Sequence, residues 1–378
     1  MSLFALGFRP LYLLAGTFAA FSIAGWAGIF AGWVPPEYLH GSSRWHAHEM
    51  IFGYTFAVIV GFLFTAGGNW TGQPTPRGAP LAAICAAWLL ARIFALSPWP
   101  LVSLAFDLAF ALSAAVGLGI PLWRARNIRN YFFVALLLVV GALNIMFHLV
   151  LLQRVDVPPG RVMDLALDVV LFICVVMAGR VVPMFTNNGL PGAGARRVLA
   201  LERIALGAVL ALLAADLLGL PDIAIAVVAG VAAIAHAIRL ALWNPWATRS
   251  KPILWILHAS YAWIVVHLAL RAASALDLAA PTLAIHALTV GAVGGLTLGM
   301  MTRTARGHTG RPLETGLAET LAYALVMGAA FARVFGAMAG WVFGAIVVSG
   351  MLWAVAFAIF AVTYWPILSR PRLDGRPG

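Results

Sequence analysis

The sequence predicts an all-α integral membrane protein, and three observations carry that prediction. Hydrophobic side chains make up 63% of the 378 residues and charged ones only 10%, a balance that suits a lipid solvent and not water. Apolar runs of 18 to 25 residues recur from Leu11 to Trp365, each matching the roughly 20 helical residues that cross a hydrocarbon layer. The connections between them are short, so the chain reads as one transmembrane domain over 1–378 with no room for a soluble domain.

Twelve spans follow in order, near 11–33, 46–66, 79–96, 99–123, 131–152, 162–185, 198–218, 223–243, 253–272, 280–301, 316–338 and 341–365. The second begins where a polar loop, RWHAHEM at 44–50, turns into an apolar run. Spans two, six and ten run out into G-x-P turns at Gly72-x-Pro74, Gly189-x-Pro191 and Gly310-x-Pro312. Spans four, eight and twelve close with tryptophan and arginine: Trp123-Arg124, Trp246 to Arg249, and Trp365 to Arg370. Spans five and nine end near His148-Leu149-x-Leu151 and His267-Leu268-x-Leu270, 119 residues apart.

These recurrences suggest a repeat. Residues 48–74 align with 286–312 without a gap at an offset of 238, pairing His48 with His286, Gly53 with Gly291 and Gly61 with Gly299. Three pseudo-symmetric four-helix units are expected, near 1–125, 126–249 and 250–370, as parallel repeats about an axis along the membrane normal.

Arginine placement sets the orientation, because short basic loops stay on the cytoplasmic side. With the N-terminus inside, most of the 24 Lys+Arg fall on the inner face, including Arg124, Arg126, Arg129, Arg196, Arg197 and the tail Arg370, Arg372 and Arg376. An even number of spans then puts both termini in the cytoplasm. The net charge of +11 is topology signal, and no nucleic-acid partner is expected. Cys85 and Cys174 sit singly inside spans, which excludes a disulfide framework.

Histidines carry the functional signal. Six of the nine, His40, His46, His48, His148, His267 and His286, map to outer loops or the outer third of spans, while His236, His258 and His308 map to the inner half. An ionisable group in the hydrocarbon zone is expensive unless it faces the protein interior and has a partner. Neutral imidazole is also the commonest metal ligand and the usual helix-borne ligand of haem iron. If the units surround one axis, His48, His148, His267 and His286 point into a shared cavity able to hold a haem, a second metal, or both. His46 and His48 are about 200° apart on a helix, so one helix can serve two centres. The expected division gives haem to His48 and His286 and a second metal to His46, His148 and His267.

Glu49 follows His46 by three residues and is expected on its face, as a metal ligand, an orienting group or a proton carrier. A carboxylate merely favoured by the helix dipole is the simpler reading. Asn144, one turn before His148, is expected to bond that ring. Asp164 and Asp168 open span six as candidate proton relays, and Arg180 can clamp a carboxylate or propionate or snorkel to the inner surface.

The blocks LGFRPLYLLAG, WHAHEMIFGY, GFLFTAGGNWTGQPTPRGAPL and GRVVPMFTNN together resemble the NnrS family of bacterial membrane proteins. The resemblance implies an inner-membrane protein carrying haem, here haem b, and copper, linked to nitric oxide metabolism and nitrosative-stress tolerance in denitrifying bacteria. Two functions follow. One is a haem- and copper-dependent protein that binds nitric oxide or reduces it as an oxidoreductase, with Glu49, Asp164 or Asp168 supplying protons and an unidentified partner or the quinone pool supplying electrons. The other is transport of a metal, a metal-nitrosyl species or a small anion, which twelve spans with internal repeats also suit.

Overall fold

The computed structural model describes residues 2–39 and 43–375, and among the described residues every regular element is helical. Twelve long segments follow one another. They are α1 (Phe8–Phe30), α2 (Ser43–Thr71), α3 (Ala79–Phe94), α4 (Pro100–Arg124), α5 (Tyr131–Leu151), α6 (Pro159–Gly189), α7 (Leu199–Leu218), α8 (Asp222–Leu242), α9 (Pro252–Ser274), α10 (Pro281–His308), α11 (Leu317–Gly336) and α12 (Val342–Ser369). The apolar runs set these helices. Proline in the first turn of α3, α4, α9 and α10 helps to start them, since its missing N–H is an unpaired donor there in any case. Ten of the twelve are long and apolar enough to cross a membrane. Of the other two, α3 has only 16 residues and α7 carries Glu202, Arg203 and Asp216.

Helices α2 and α10 share a local irregularity. Each widens into π-helical turns, over Glu49–Thr55 in α2 and Ala287–Gly294 in α10, and the offset of 238 carries one onto the other. A π-turn leaves backbone carbonyls out of the α-helical register. In α2 the Thr55 hydroxyl donates to Met50 O at 2.7 Å and Trp88 Nε1 donates to Gly53 O at 2.9 Å. Past both helices the same offset pairs Gly72 (φ 64°) with Gly310 (φ 72°), each in the left-handed conformation that favours glycine. The middle turn is built otherwise: Gly189 is the last residue of α6, and the left-handed glycines are Gly192 and Gly194.

Contacts divide the chain into two compact units. The first comprises Met1–Ala166, Met301–Leu313 and Phe360–Gly378. Within it α1 packs on α2, while α3, α4 and α5 pack in sequence order. Arg9 is wholly buried, and its Nη1 donates to the carbonyls of Leu368 (3.0 Å) and Arg370 (2.7 Å). A cation there answers the unpaired carbonyls and the negative dipole end of α12.

The second unit comprises Leu167–Met300 and Glu314–Ile359, with α9 packed on α8 and α10. Its interior holds a closed polar cluster. Arg239 donates from Nε and Nη2 to the two oxygens of Glu202 (2.9 and 2.5 Å) and from Nη1 to the Tyr261 hydroxyl (2.8 Å), which in turn donates to His236 Nδ1 (2.5 Å). Bidentate pairing suits a guanidinium that has to be desolvated.

Candidate metal centre

Four helices of the first unit bring charged groups to one level. Helices α3 and α4 are antiparallel and joined by only five residues, 95–99, so Arg92 near the end of α3 and Asp107 near the start of α4 stand side by side. Helix α2 supplies His48 and Glu49 where its π-turns begin, and α5 supplies Asn144 and His148 on one face a turn apart. All six side chains are buried, and Glu49 is only 1% exposed.

The bonds form one network. His48 Nδ1 donates to Glu49 Oε1 at 2.8 Å, and Arg92 Nη1 donates to Glu49 Oε2 at 3.1 Å. Arg92 Nη2 donates to Asp107 Oδ1. The other oxygen of Asp107 lies 3.1 Å from His148 Nε2 and 3.6 Å from His48 Nε2. Asn144 Oδ1 completes the ring of acceptors at 2.8 Å from His48 Nε2. Gly53 makes the arrangement fit, because a Cβ there would lie 2.7 Å from Arg92 Nη1 and 3.2 Å from Glu49 Oε2.

Charge counting gives the centre its chemistry. Two carboxylates facing one guanidinium leave a deficit of one positive charge in a buried site, where an uncompensated charge is costly. A metal ion held there closes the deficit. Ligand atoms from His48, Asp107 and His148 all lie within 4.8 Å of one another, and four-coordinate ions with bonds near 2.0–2.2 Å hold their ligands roughly 3.3 Å apart. The hydrogen bond from Nδ1 to a carboxylate is the support that fixes a ligating histidine with Nε2 turned to the metal.

Among the other sequence-derived candidates, some are bonded differently from expectation and the rest fall elsewhere. His46 is half-buried and stacks on Trp26, ring centroids 5.0 Å apart at 7°. Glu49, expected on the face of His46, has its carboxylate engaged by His48 and Arg92. Asn144 bonds His48 across helices where a bond to His148 on its own helix was expected. His267 and His286 belong to the second unit. There His267 Nδ1 donates to Ala284 O (2.8 Å) and His286 Nδ1 to Thr282 O (2.7 Å). Asp164 is exposed, Arg180 is half-buried, and Asp168 pairs with Arg271. His40 lies outside the described residues.

Arg92 and Asp107 are the functional residues that sequence reasoning missed. Each sits near the end of an apolar run and so reads as an interfacial charge. The available signal was the short turn between α3 and α4, which forces opposite charges near its two ends to the same depth.

Fold and site together define a polytopic α-helical membrane protein with a buried, metal-capable histidine–carboxylate centre. No curated protein matches the chain. The chain belongs to the NnrS family, described as "NnrS protein", whose family pattern matches residues 2–372. Membership makes it a membrane protein related to nitric oxide.

Proposed function

We propose that the chain binds a metal ion through His48, His148 and Asp107 and uses that centre to bind or reduce nitric oxide in the bacterial inner membrane, both termini facing the cytoplasm. The observation that carries the reading is the buried cluster of two imidazoles and a carboxylate, one positive charge short of balance. Copper is the ion that the family resemblance implies, and imidazole nitrogen with carboxylate oxygen is a donor set that accepts it. When bound, it supplies a redox-active position for nitric oxide.

The protein's own groups do the rest. Glu49 accepts from His48 Nδ1 and so holds Nε2 toward Asp107 and His148. Arg92 ties both carboxylates in place and keeps Asp107 anionic. Nitric oxide is apolar and dissolves in lipid, so a centre among apolar helices is reached from the bilayer. Reduction of two nitric oxide molecules to nitrous oxide and water takes two electrons and two protons. Glu49 is placed to pass the protons, and a partner protein or the quinone pool supplies the electrons. The centre does not fit haem b: His48 Nε2 faces Asn144 and Asp107, and the rings of Phe52 and Phe147 each lie 5.3 Å from the His48 ring.

Metal analysis of the purified full chain tests the reading. One ion per chain is expected, lost in His48→Ala and His148→Ala and much reduced in Asp107→Asn, while His46→Ala retains it. Unchanged metal content across the first three variants refutes it.

A further inference from the structure

The second unit holds a carboxyl pair with a different chemistry. Asp168 on α6 and Asp216 near the end of α7 share one guanidinium: Arg271 near the end of α9 donates from Nη1 to Asp168 Oδ1 and from Nη2 to Asp216 Oδ2. Asp168 is 1% exposed, and its second oxygen, Oδ2, is buried with no donor facing it. Because both bond the terminal nitrogens of one guanidinium, the Asp168 and Asp216 carboxyl groups are held close together.

Two anionic carboxylates in contact repel, and a buried acceptor without a donor costs the full desolvation of that atom. Both penalties ease if one proton sits on Asp168, because the repulsion between two anions is removed and the pair carries a single negative charge against Arg271. Carboxyl pairs in contact share a proton because two like charges a few ångströms apart do not both ionise readily. We infer that Asp168 and Asp216 form a proton-holding site, with the exchangeable proton on Asp168 and Arg271 as the fixed counter-charge.

The surroundings support a proton over a larger cation. On α9 the nearest titratable neighbour is His267, one turn before Arg271, and its Nδ1 is committed to Ala284 O. On α6 the residue one turn earlier is the exposed Asp164. Asp168 also stands 119 residues after Glu49, the offset that relates His148 to His267. In both places a guanidinium joins two carboxylates, but position 167 is leucine where the first centre has His48. The second cluster keeps the ion triad and lacks the histidine pair that makes the first able to hold a metal. The inference stands independently of the metal centre.

Isosteric variants of the full chain, reconstituted in lipid nanodiscs, supply the test. An asparagine at 168 imitates the protonated acid, since its amide donates where the carboxyl O–H would. Infrared spectra of the wild type at neutral pH are expected to show the carbonyl stretch of a protonated carboxylic acid, moving down on exchange into deuterium oxide. That band is lost in Asp168→Asn, which retains the thermal midpoint of the wild type. The double variant Asp168→Asn/Asp216→Asn leaves Arg271 without its carboxylates and unfolds at a clearly lower temperature. The proposal is overturned if the band is absent from the wild type, as it would be with a metal or sodium ion between the carboxylates, or if it survives in both Asp168→Asn and Asp216→Asn. It is equally overturned if Asp168→Asn is destabilised as much as the double variant.

Discussion

Replacing Arg92 by methionine removes the one cation that joins Glu49 to Asp107 while keeping most of the side-chain volume. Arg92 is 4% exposed and both carboxylates are buried, so solvent cannot take over its role. Breaking one buried ion pair by deleting a partner costs about 3–5 kcal/mol, because the remaining charge is stranded. Here two carboxylates are stranded at once, and the cost lies at the upper end of that range unless one of them takes up a proton. Asp107→Asn in the same background restores the original charge balance, since one cation and one anion have then been removed together. The double variant is therefore expected to be more stable than the sum of its parts by roughly 1–3 kcal/mol, the usual coupling for residues in one network. Equilibrium unfolding of the four proteins in detergent, followed by tryptophan fluorescence, measures both quantities. An Arg92→Met protein within about 1 kcal/mol of wild type, or strictly additive effects, would refute the charge accounting on which the metal centre also depends.

Metal affinity of the first unit should fall on acidification, because imidazole nitrogen and carboxylate oxygen ligate only when deprotonated; titration calorimetry across pH detects this, and a pH-independent affinity counts against these ligands. Gly53→Ala should lower metal occupancy without unfolding the chain, since its methyl displaces a long, flexible arginine side chain; unchanged occupancy counts against the fitted position of Arg92. Gly291→Ala meets the body of an indole, with Trp263 Cγ 2.3 Å from the added carbon, and should cost about 1–3 kcal/mol as overpacking, visible as a lowered unfolding midpoint. A reporter fused after Gly378 should be active only in the cytoplasm, and periplasmic activity would reverse the assigned orientation.

Much of the architecture is readable from apolar run lengths alone, because a helix in lipid has to satisfy its own backbone. The twelve sequence spans and the twelve long helices fall on the same stretches, with ends that differ by a few residues. At the metal centre, the histidines of α2 and α5 and Asn144 were all visible as polar groups in apolar surroundings. Their pairing was not, because Asn144 reaches across to another helix and a helical wheel covers only one. Arg92 and Asp107 were hidden by their closeness to span ends. Glu49 was visible as an acid at the start of an apolar run, but its bonds to His48 and to Arg92 on another helix have no signature in local spacing. Arg271 escaped notice for the same reason as Arg92, as a cation in the last turn of an apolar helix.

The clamp between Arg9 and the carbonyls of Leu368 and Arg370 joins positions 359 and 361 residues apart. During synthesis the first helices enter the membrane long before their distant partner exists, so Arg9 has to wait, facing water, lipid headgroups or an insertion chaperone, until the last helix leaves the ribosome. The first unit therefore closes late, although most of its residues are made early.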